Sequence, residues 1–444
     1  MSILTAERGI FKEPNSIVGK IILIMVIILF TTRILTRTPL IFIYLPFEAL
    51  WLLGIVSFTI LYGLYVVMIN KHIDELHYYY VLIFLMPIQA GVCAHLSENM
   101  PILSGYFAQR HWFGIGGVFL ILFFLRIHFI TLKDLYRAFE WLGWASLIYF
   151  VGCYMFLDPA KYIDQSFVGF SDIKGGYRFK FGIDFIAFFS VYYTVRYVST
   201  KDRKMLFYSG IFLSYLFFLH QGRSVMIAVV ASIAVFYMFE VNFQRAFRVF
   251  LYVGIVFMFI MGVMYAIIPD RVNDYIYQYT SLASIVFTGN VVGEESLDAR
   301  IEEIGILLVY LQTYPIGWII GLGKFSSGES FIGTHNITTV PPGDIGILGS
   351  IMTYGIIGSI IIYWQFWIAV RSSKFIVRHK KDSFLVASKY VLIFCFLSSL
   401  AKGYLFMQPG STAIFIMVIC AYKMYELQLD KQGVPLTLAT NNKF

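Results

Sequence analysis

A chain of 444 residues with 59% apolar, 18% aromatic and only 14% charged side chains is not a water-soluble domain, in which about a quarter of residues carry charge. Its 34 Lys and Arg against 26 Asp and Glu leave a net charge of +8. The basic residues sit in short connections between apolar runs and form no stripe, so the charge excludes nucleic acid as a partner and reports membrane topology instead.

The first apolar run, Ile17 to Phe30, lacks a small-residue cleavage site and is followed by Arg33 and Arg37, which marks a retained helix. Requiring a turn or a charge between runs of about 20 apolar residues predicts about twelve spans. They cover 16–32, 41–68, 78–95, 112–127, 138–156, 181–198, 205–219, 224–240, 249–268, 345–370, 384–401 and 411–426. The expected fold is therefore all-α: a polytopic integral-membrane helical bundle forming a single membrane domain over 1–444, with a cytoplasmic tail at 427–444. Cys93, Cys153, Cys395 and Cys420 lie in or beside apolar runs without metal-ligand spacing and read as small core residues.

Basic residues resist translocation, so their clusters orient the bundle. Lys201, Arg203 and Lys204 mark one inner connection and Arg245 and Arg248 a second. Arg371, Lys374, Arg378, Lys380 and Lys381 mark a third. Alternation puts all three, and both termini, on the cytoplasmic side. Arg33 and Arg37 are the exception, because the same count places them outside.

Four segments then fall on the outer side: 157–180, the turn His220 to Ser224, the long stretch 269–344, and Lys402 to Gly410. A loop as long as the third is more often functional or locally folded than structureless. Within it, Ser296 to Ile320 places Ile301, Ile304, Leu307, Leu308 and Leu311 at helical spacing beside Asp298, Arg300, Glu302 and Glu303. The pattern predicts an amphipathic helix on the outer membrane face.

Charged residues at the outer mouth of a bundle are the candidates for chemistry, since charge near hydrocarbon usually lines a cavity or meets a ligand. Arg223 lies in the turn His220-Gln221-Gly222-Arg223-Ser224, either as a ligand-binding group or as a snorkelling helix-end arginine. Arg300 opens the amphipathic helix, where a guanidinium can grip a diphosphate in a forked geometry or pair locally with Asp298 or Glu303. His335 and Asp344, before the tenth span, are both able to take a proton from a sugar hydroxyl; Asp344 after Pro341-Pro342-Gly343 is equally a helix cap. Arg178 and Lys180 form a basic cluster suited to an anionic head group or to interfacial anchoring. No phosphate-cradling Gly-rich loop, His-Glu-x-x-His, Cys pair or outer Asp-x-Asp is present, so the expected chemistry uses no metal and no cofactor.

Taken in order, Gln221-Gly222-Arg223-Ser224, then Arg300 with Tyr314-Pro315-Ile316-Gly317 and Gly321-Leu322-Gly323, then Asp344-Ile345-Gly346 with Tyr354-Gly355-Ile356-Ile357-Gly358, resemble the O-antigen polymerase and O-antigen ligase superfamily. The resemblance spans residues 170–370. It implies a membrane glycosyltransferase of the bacterial cytoplasmic (inner) membrane, acting on undecaprenyl-pyrophosphate-linked glycans at the outer face, with a chain-length regulator protein as a partner. It also implies that Arg223 and Arg300 hold the pyrophosphate, with Arg178 and Lys180 assisting and Asp344 or His335 as base. Ligases of this kind carry a His-Asn pair at the position taken here by Asp344, while His335-Asn336 lies nine residues earlier. The departure favours a polymerase over a ligase. A lipid-linked-oligosaccharide flippase or secondary transporter is the competing reading, although no internal repeat is visible and most mid-span positions are apolar.

Overall fold

The computed structural model describes residues 18–70, 77–163, 165, 167–171, 176–220, 222–241, 295–323 and 342–431, with isolated positions between 244 and 273. In chain order the helices are α1 (Val18–Thr32), α2 (Ile41–Asn70), α3 (Tyr78–Glu98), α4 (Ile102–Ala108), α5 (Gly116–Arg126), α6 (Leu132–Phe156), α7 (Asp184–Thr200) and α8 (Arg203–Ser214). They continue with α9 (Arg223–Glu240), α10 (Glu295–Thr313), α11 (Gly317–Ile320), α12 (Ile347–Lys374), α13 (Ser383–Lys402), α14 (Tyr404–Met407) and α15 (Pro409–Lys431). A 3-10 turn, Ile34–Arg37, follows α1, and a π-helical turn, Tyr215–His220, extends α8.

Among the described residues five helices are long and apolar enough to cross a membrane: most of α2, then α3, α12, α13 and α15. A sixth span results if α4 and the stretch Phe113–Arg126 are one span bent by 51°. The outer surface agrees with that reading. Leu53, Leu64 and Met68 on α2, Ile148 and Met155 on α6, and Trp364 and Trp367 on α12 all point outward. So much outward apolar surface suits hydrocarbon and not water. Helices α1 and α9 are apolar but shorter, and the expected span at 249–268 lies almost wholly outside the described residues.

Helix α7 is the centre of the bundle. Its sequence DFIAFFSVYYTV is apolar or aromatic on every side, the pattern of a helix with no solvent face. It is buried without interruption from Asp184 to Val195 and packs against α6, α8, α9 and α13. Phe188 stacks on Phe415 of α15 at 5.3 Å, tying the centre to the C-terminal helix. The four cysteines are buried single thiols.

Three local differences from the sequence expectation have simple causes. The fourth expected span, 112–127, is preceded by the unexpected short helix α4, with a bend at Gln109-Arg110-His111, where polar residues interrupt the apolar run, and α12 holds the bend. Trp112 Nε1 donates to Tyr354 Oη at 2.7 Å, and that hydroxyl donates to Gln109 Oε1 at 2.6 Å. The amphipathic helix expected at Ser296 to Ile320 stops at Thr313, because Pro315 cannot continue it, and α11 is a separate turn. The loop 157–180 is partly β: Val168–Ser171 (β1) pairs antiparallel with Gly176–Phe179 (β2), with Gly169 opposite Arg178. In addition, α15 runs on to Lys431, so the tail expected from 427 begins as helix.

The two motifs ending in glycine meet in the interior. Gly355 has φ +68° inside α12 and Gly321 has φ +86°, and a Cβ on Gly321 would sit 2.6 Å from the Gly355 nitrogen. Neither position accepts a side chain. Leu322 N donates to Met352 O at 2.7 Å and Gly323 N to Thr353 O at 3.1 Å, so the α11 exit pairs with the broken turn of α12. Gln89 of α3 donates to both Ile320 O and Tyr354 O at 2.8 Å, satisfying carbonyls that the helix break frees.

Candidate functional site

Charges separate to the two ends of the bundle. At one end Asp382 caps α13 through Phe384 N at 2.8 Å, Asp202 caps α8 through Lys204 N at 3.0 Å, and Arg378 pairs with Asp430 at 2.6 Å. Lys423 sits over the Phe375 ring there. These contacts close helix ends and lock loops.

The opposite end is built differently. There α1 gives way to the Ile34–Arg37 turn, the hairpin leads into α7, and α13 ends at Lys402 before the α14 turn. The hairpin is pinned down by aromatic packing. Phe179 and Phe181 stack at 4.8 Å, Phe181 stacks on Phe150 at 4.7 Å, and Tyr154 Oη donates to Phe179 O at 3.0 Å. Lys180 N donates to Phe167 O at 2.7 Å, and the Lys180 side chain lies across Gly169, close over the bare glycine. Arg178 and Lys180 are thereby held over the bundle end.

Electrostatic contacts gather these residues into one group. The Lys402 ammonium is acted on by Arg300, Arg178, Asp344 and Lys180. Lys180 is exposed, yet its pKa is lowered from the usual lysine value, first by partial desolvation, then by the like charge of Arg178, with Asp344 opposing and Arg37 adding to the fall. The Glu303 carboxyl is raised, first by desolvation and then by Asp344, against the pull of Arg300. Asp344 itself is exposed on the approach to α12.

Beneath this cluster lies Arg37. Desolvation lowers its pKa, while the charges of Asp184 and Asp344 raise it and that of Arg33 lowers it. With the Gln408 amide oriented to accept, Arg37 donates to it from Nε at 3.1 Å and from Nη1 at 3.3 Å. Asp184, buried at the head of α7, accepts from Ser411 Oγ at 2.7 Å and from Tyr404 Oη. Arg33 pairs with the buried Glu48 at 2.6 Å. Thr31, Thr36, Arg33, Arg37, His111 and Gln408 line a polar cavity of about 170 Å³ at this level.

Of the residues singled out in sequence, Arg178, Lys180, Arg300 and Asp344 are therefore brought together. Arg223 opens α9 at the same end of the bundle, but its side chain lies outside what the structure describes, and His335 lies outside the described residues. Arg37, Asp184 and Lys402 were missed as site residues. The available signal for Arg37 was its place on the wrong side of the positive-inside pattern; for Asp184 and Lys402 it was a charge at the very end of an apolar run.

The arrangement suits an anion. Among the described residues, Lys402 and three further cations, Arg300, Arg178 and Lys180, face Asp344, with Glu303 beside Arg300, and like charges gathered at a partly desolvated bundle end favour an anion that joins them. Comparison with protein-family models, curated proteins and solved structures found no match for this chain.

Proposed function

We propose that this chain is a membrane-embedded glycosyltransferase that polymerises oligosaccharide repeat units linked to a polyprenyl (undecaprenyl) diphosphate, at the outer face of a bacterial cytoplasmic membrane. The observation that carries the reading is the convergence of Arg178, Lys180, Arg300 and Lys402 with Asp344 at one end of an apolar bundle. In this reading about twelve spans cross the bilayer, both termini are cytoplasmic, and the cationic end faces outward.

The reaction joins a hydroxyl of one lipid-linked unit to the anomeric carbon of another. The bond from that carbon to the diphosphate oxygen breaks, and the lipid diphosphate leaves with the bonding pair. Its accumulating negative charge is what the protein must stabilise. Preorganised cations in a water-poor mouth supply that stabilisation without reorganising during the reaction. Arg300 and Arg223 offer forked guanidinium contacts, Arg178 joins them from β2, and Lys180 and Lys402 add point charges. Asp344 takes the hydroxyl proton, with His335 the alternative base, a contribution of about a hundred- to ten-thousandfold. The exposure of Asp344 leaves it accessible to an incoming acceptor.

Single Ala replacements of Arg223, Arg300 and Asp344, in cells that make the glycan, test the reading. With membrane levels unchanged, each variant is expected to lose the long-chain ladder while keeping single capped units. Loss of all capped material with lipid-linked polymer accumulating would mark a ligase. Intermediates trapped on the cytoplasmic side would mark a flippase. Unaltered ladders in all three variants would sink the enzymatic reading.

A further inference from the structure

An apolar groove of about 580 Å³ runs between α6 and α8, with Leu147, Val151 and Met155 on one wall and Ile211, Tyr215 and Leu219 on the other. A Cβ on Gly152 would meet nothing within 4 Å, so the groove has open space at its middle. Its flank is open too: Met155 is 72% and Phe156 82% exposed. On the α8 side the wall passes into the π-helical turn Tyr215–His220, whose wider winding breaks the regular ridge that would otherwise pack against α6. From Leu147 to Phe156 the groove follows α6 for about 14 Å, at about 1.5 Å per residue.

Tyr215 of the groove wall meets Tyr154 edge to face at 6.5 Å, and Tyr154 links the groove to the cationic site. Tyr154, beside Met155, donates to Phe179 O directly under β2, and the charge of Arg178 acts on Tyr154. On the other wall Leu219 leads through His220 to Arg223 at the start of α9.

Resting on the proposed function, we infer that this groove holds the first isoprenoid units of the polyprenyl chain, with the attached diphosphate at Arg178. Charge complementarity selects this occupant over bulk phospholipid. Arg178, Lys180, Arg300 and Lys402, with Asp344 and Glu303 set against them, still leave more than one positive charge to meet a diphosphate, whereas a phosphatidylglycerol head group offers a single negative charge. Branched isoprenoid units fill an irregular slot lined by aliphatic side chains and the rings of Phe156, Tyr215 and Phe218, and the open flank lets the remaining chain pass into the bilayer.

The test uses the full chain in nanodiscs of phosphatidylethanolamine and phosphatidylglycerol, with a polyprenyl diphosphate carrying a diazirine in its first isoprenoid units. Photolabel is expected on the peptides around Met155 and Tyr215, displaced by unlabelled polyprenyl diphosphate and not by added phosphatidylglycerol. Gly152→Phe should weaken binding at least tenfold. Gly54→Phe should leave it unchanged, because Gly54 is equally open but lies on the exposed face of α2. Displacement by phosphatidylglycerol, or label scattered over the lipid-facing helices, would overturn the inference. Binding that is lost in Arg178→Ala and Arg300→Ala but kept in Gly152→Phe would overturn the groove alone. Failure of the wild-type chain to bind the probe at all would remove the glycosyltransferase reading together with it.

Discussion

Arg37 shows what one side chain does at the bundle end. Its guanidinium is partly desolvated yet keeps its charge, because arginine does not deprotonate under these conditions and the charge of Asp184 acts on it. Arg37→Ala is expected to lower the stability of the purified protein by about 1–3 kcal/mol, since it deprives Gln408 and Asp184 of a charged donor. Arg37→Lys should recover only part of that, as an ammonium cannot reproduce the two-pronged contact; thermal unfolding in detergent measures both. Lys180 gives a pH signature. Its pKa is lowered in the free site, and a bound diphosphate would raise it again, so binding takes up a proton at alkaline pH. Affinity for polyprenyl diphosphate should therefore be constant near neutrality and fall as pH rises through the lowered lysine value. Lys180→Arg should reduce that fall to the share left by the Lys402 ammonium, and a profile unchanged from the wild type in Lys180→Arg would exclude Lys180 from the site. The sequence pointed to Lys180 by its basic neighbour Arg178, but marked Lys402 only as a charge at the end of an apolar run, because its relevance depends on Arg178, Lys180, Arg300 and Asp344, which are remote in the chain.

At the scale of elements, the glycines of the two motifs are explained by backbone contact. Gly355 breaks α12 at a positive φ of +68° and receives Gly321 at a distance only two glycines permit. Gly355→Ala and Gly321→Ala are each expected to destabilise the protein by about 1–3 kcal/mol or more, from strain at positive φ and from overlap. Gly54→Ala on the outward face of α2 should instead be neutral or mildly stabilising, and a thermal-melt comparison of the three variants distinguishes the cases. Gln89→Leu takes the amide donor from Tyr354 O and leaves Ile320 O only the weak Cys93 thiol donor at 3.4 Å, and should also lower the melting temperature. Helix existence was readable from the apolar runs because burial in hydrocarbon requires long uninterrupted stretches. The hairpin at 168–179 was not: its strands are four residues each, too short to announce themselves, and their pairing depends on the aromatic platform of Phe150, Phe179 and Phe181 beneath.

For the whole molecule, apolar faces turn outward along the helix flanks while charge collects at the two ends, one closed by caps and ion pairs and the other crowded with cations around few carboxylates. That asymmetry gives the bundle a direction. Reporter fusions at the N-terminus and after Lys431 should both read as cytoplasmic, and a reporter placed between Ser171 and Gly176 should read as external; the reverse assignment for the last would place the cationic cluster on the wrong side for the proposed reaction.

Sequence by itself determined that this chain is a helical membrane protein and which charges stand at the ends of its apolar runs, since the bilayer imposes length and polarity on each segment independently of the others. Only the tertiary structure decided that Arg37, Arg178, Lys180, Arg300, Asp344 and Lys402 form one electrostatic neighbourhood, and that Gly321 answers Gly355. Those are contacts between distant segments. They are set by how helices pack around α7, and packing is a property of pairs of surfaces that no single stretch of sequence displays.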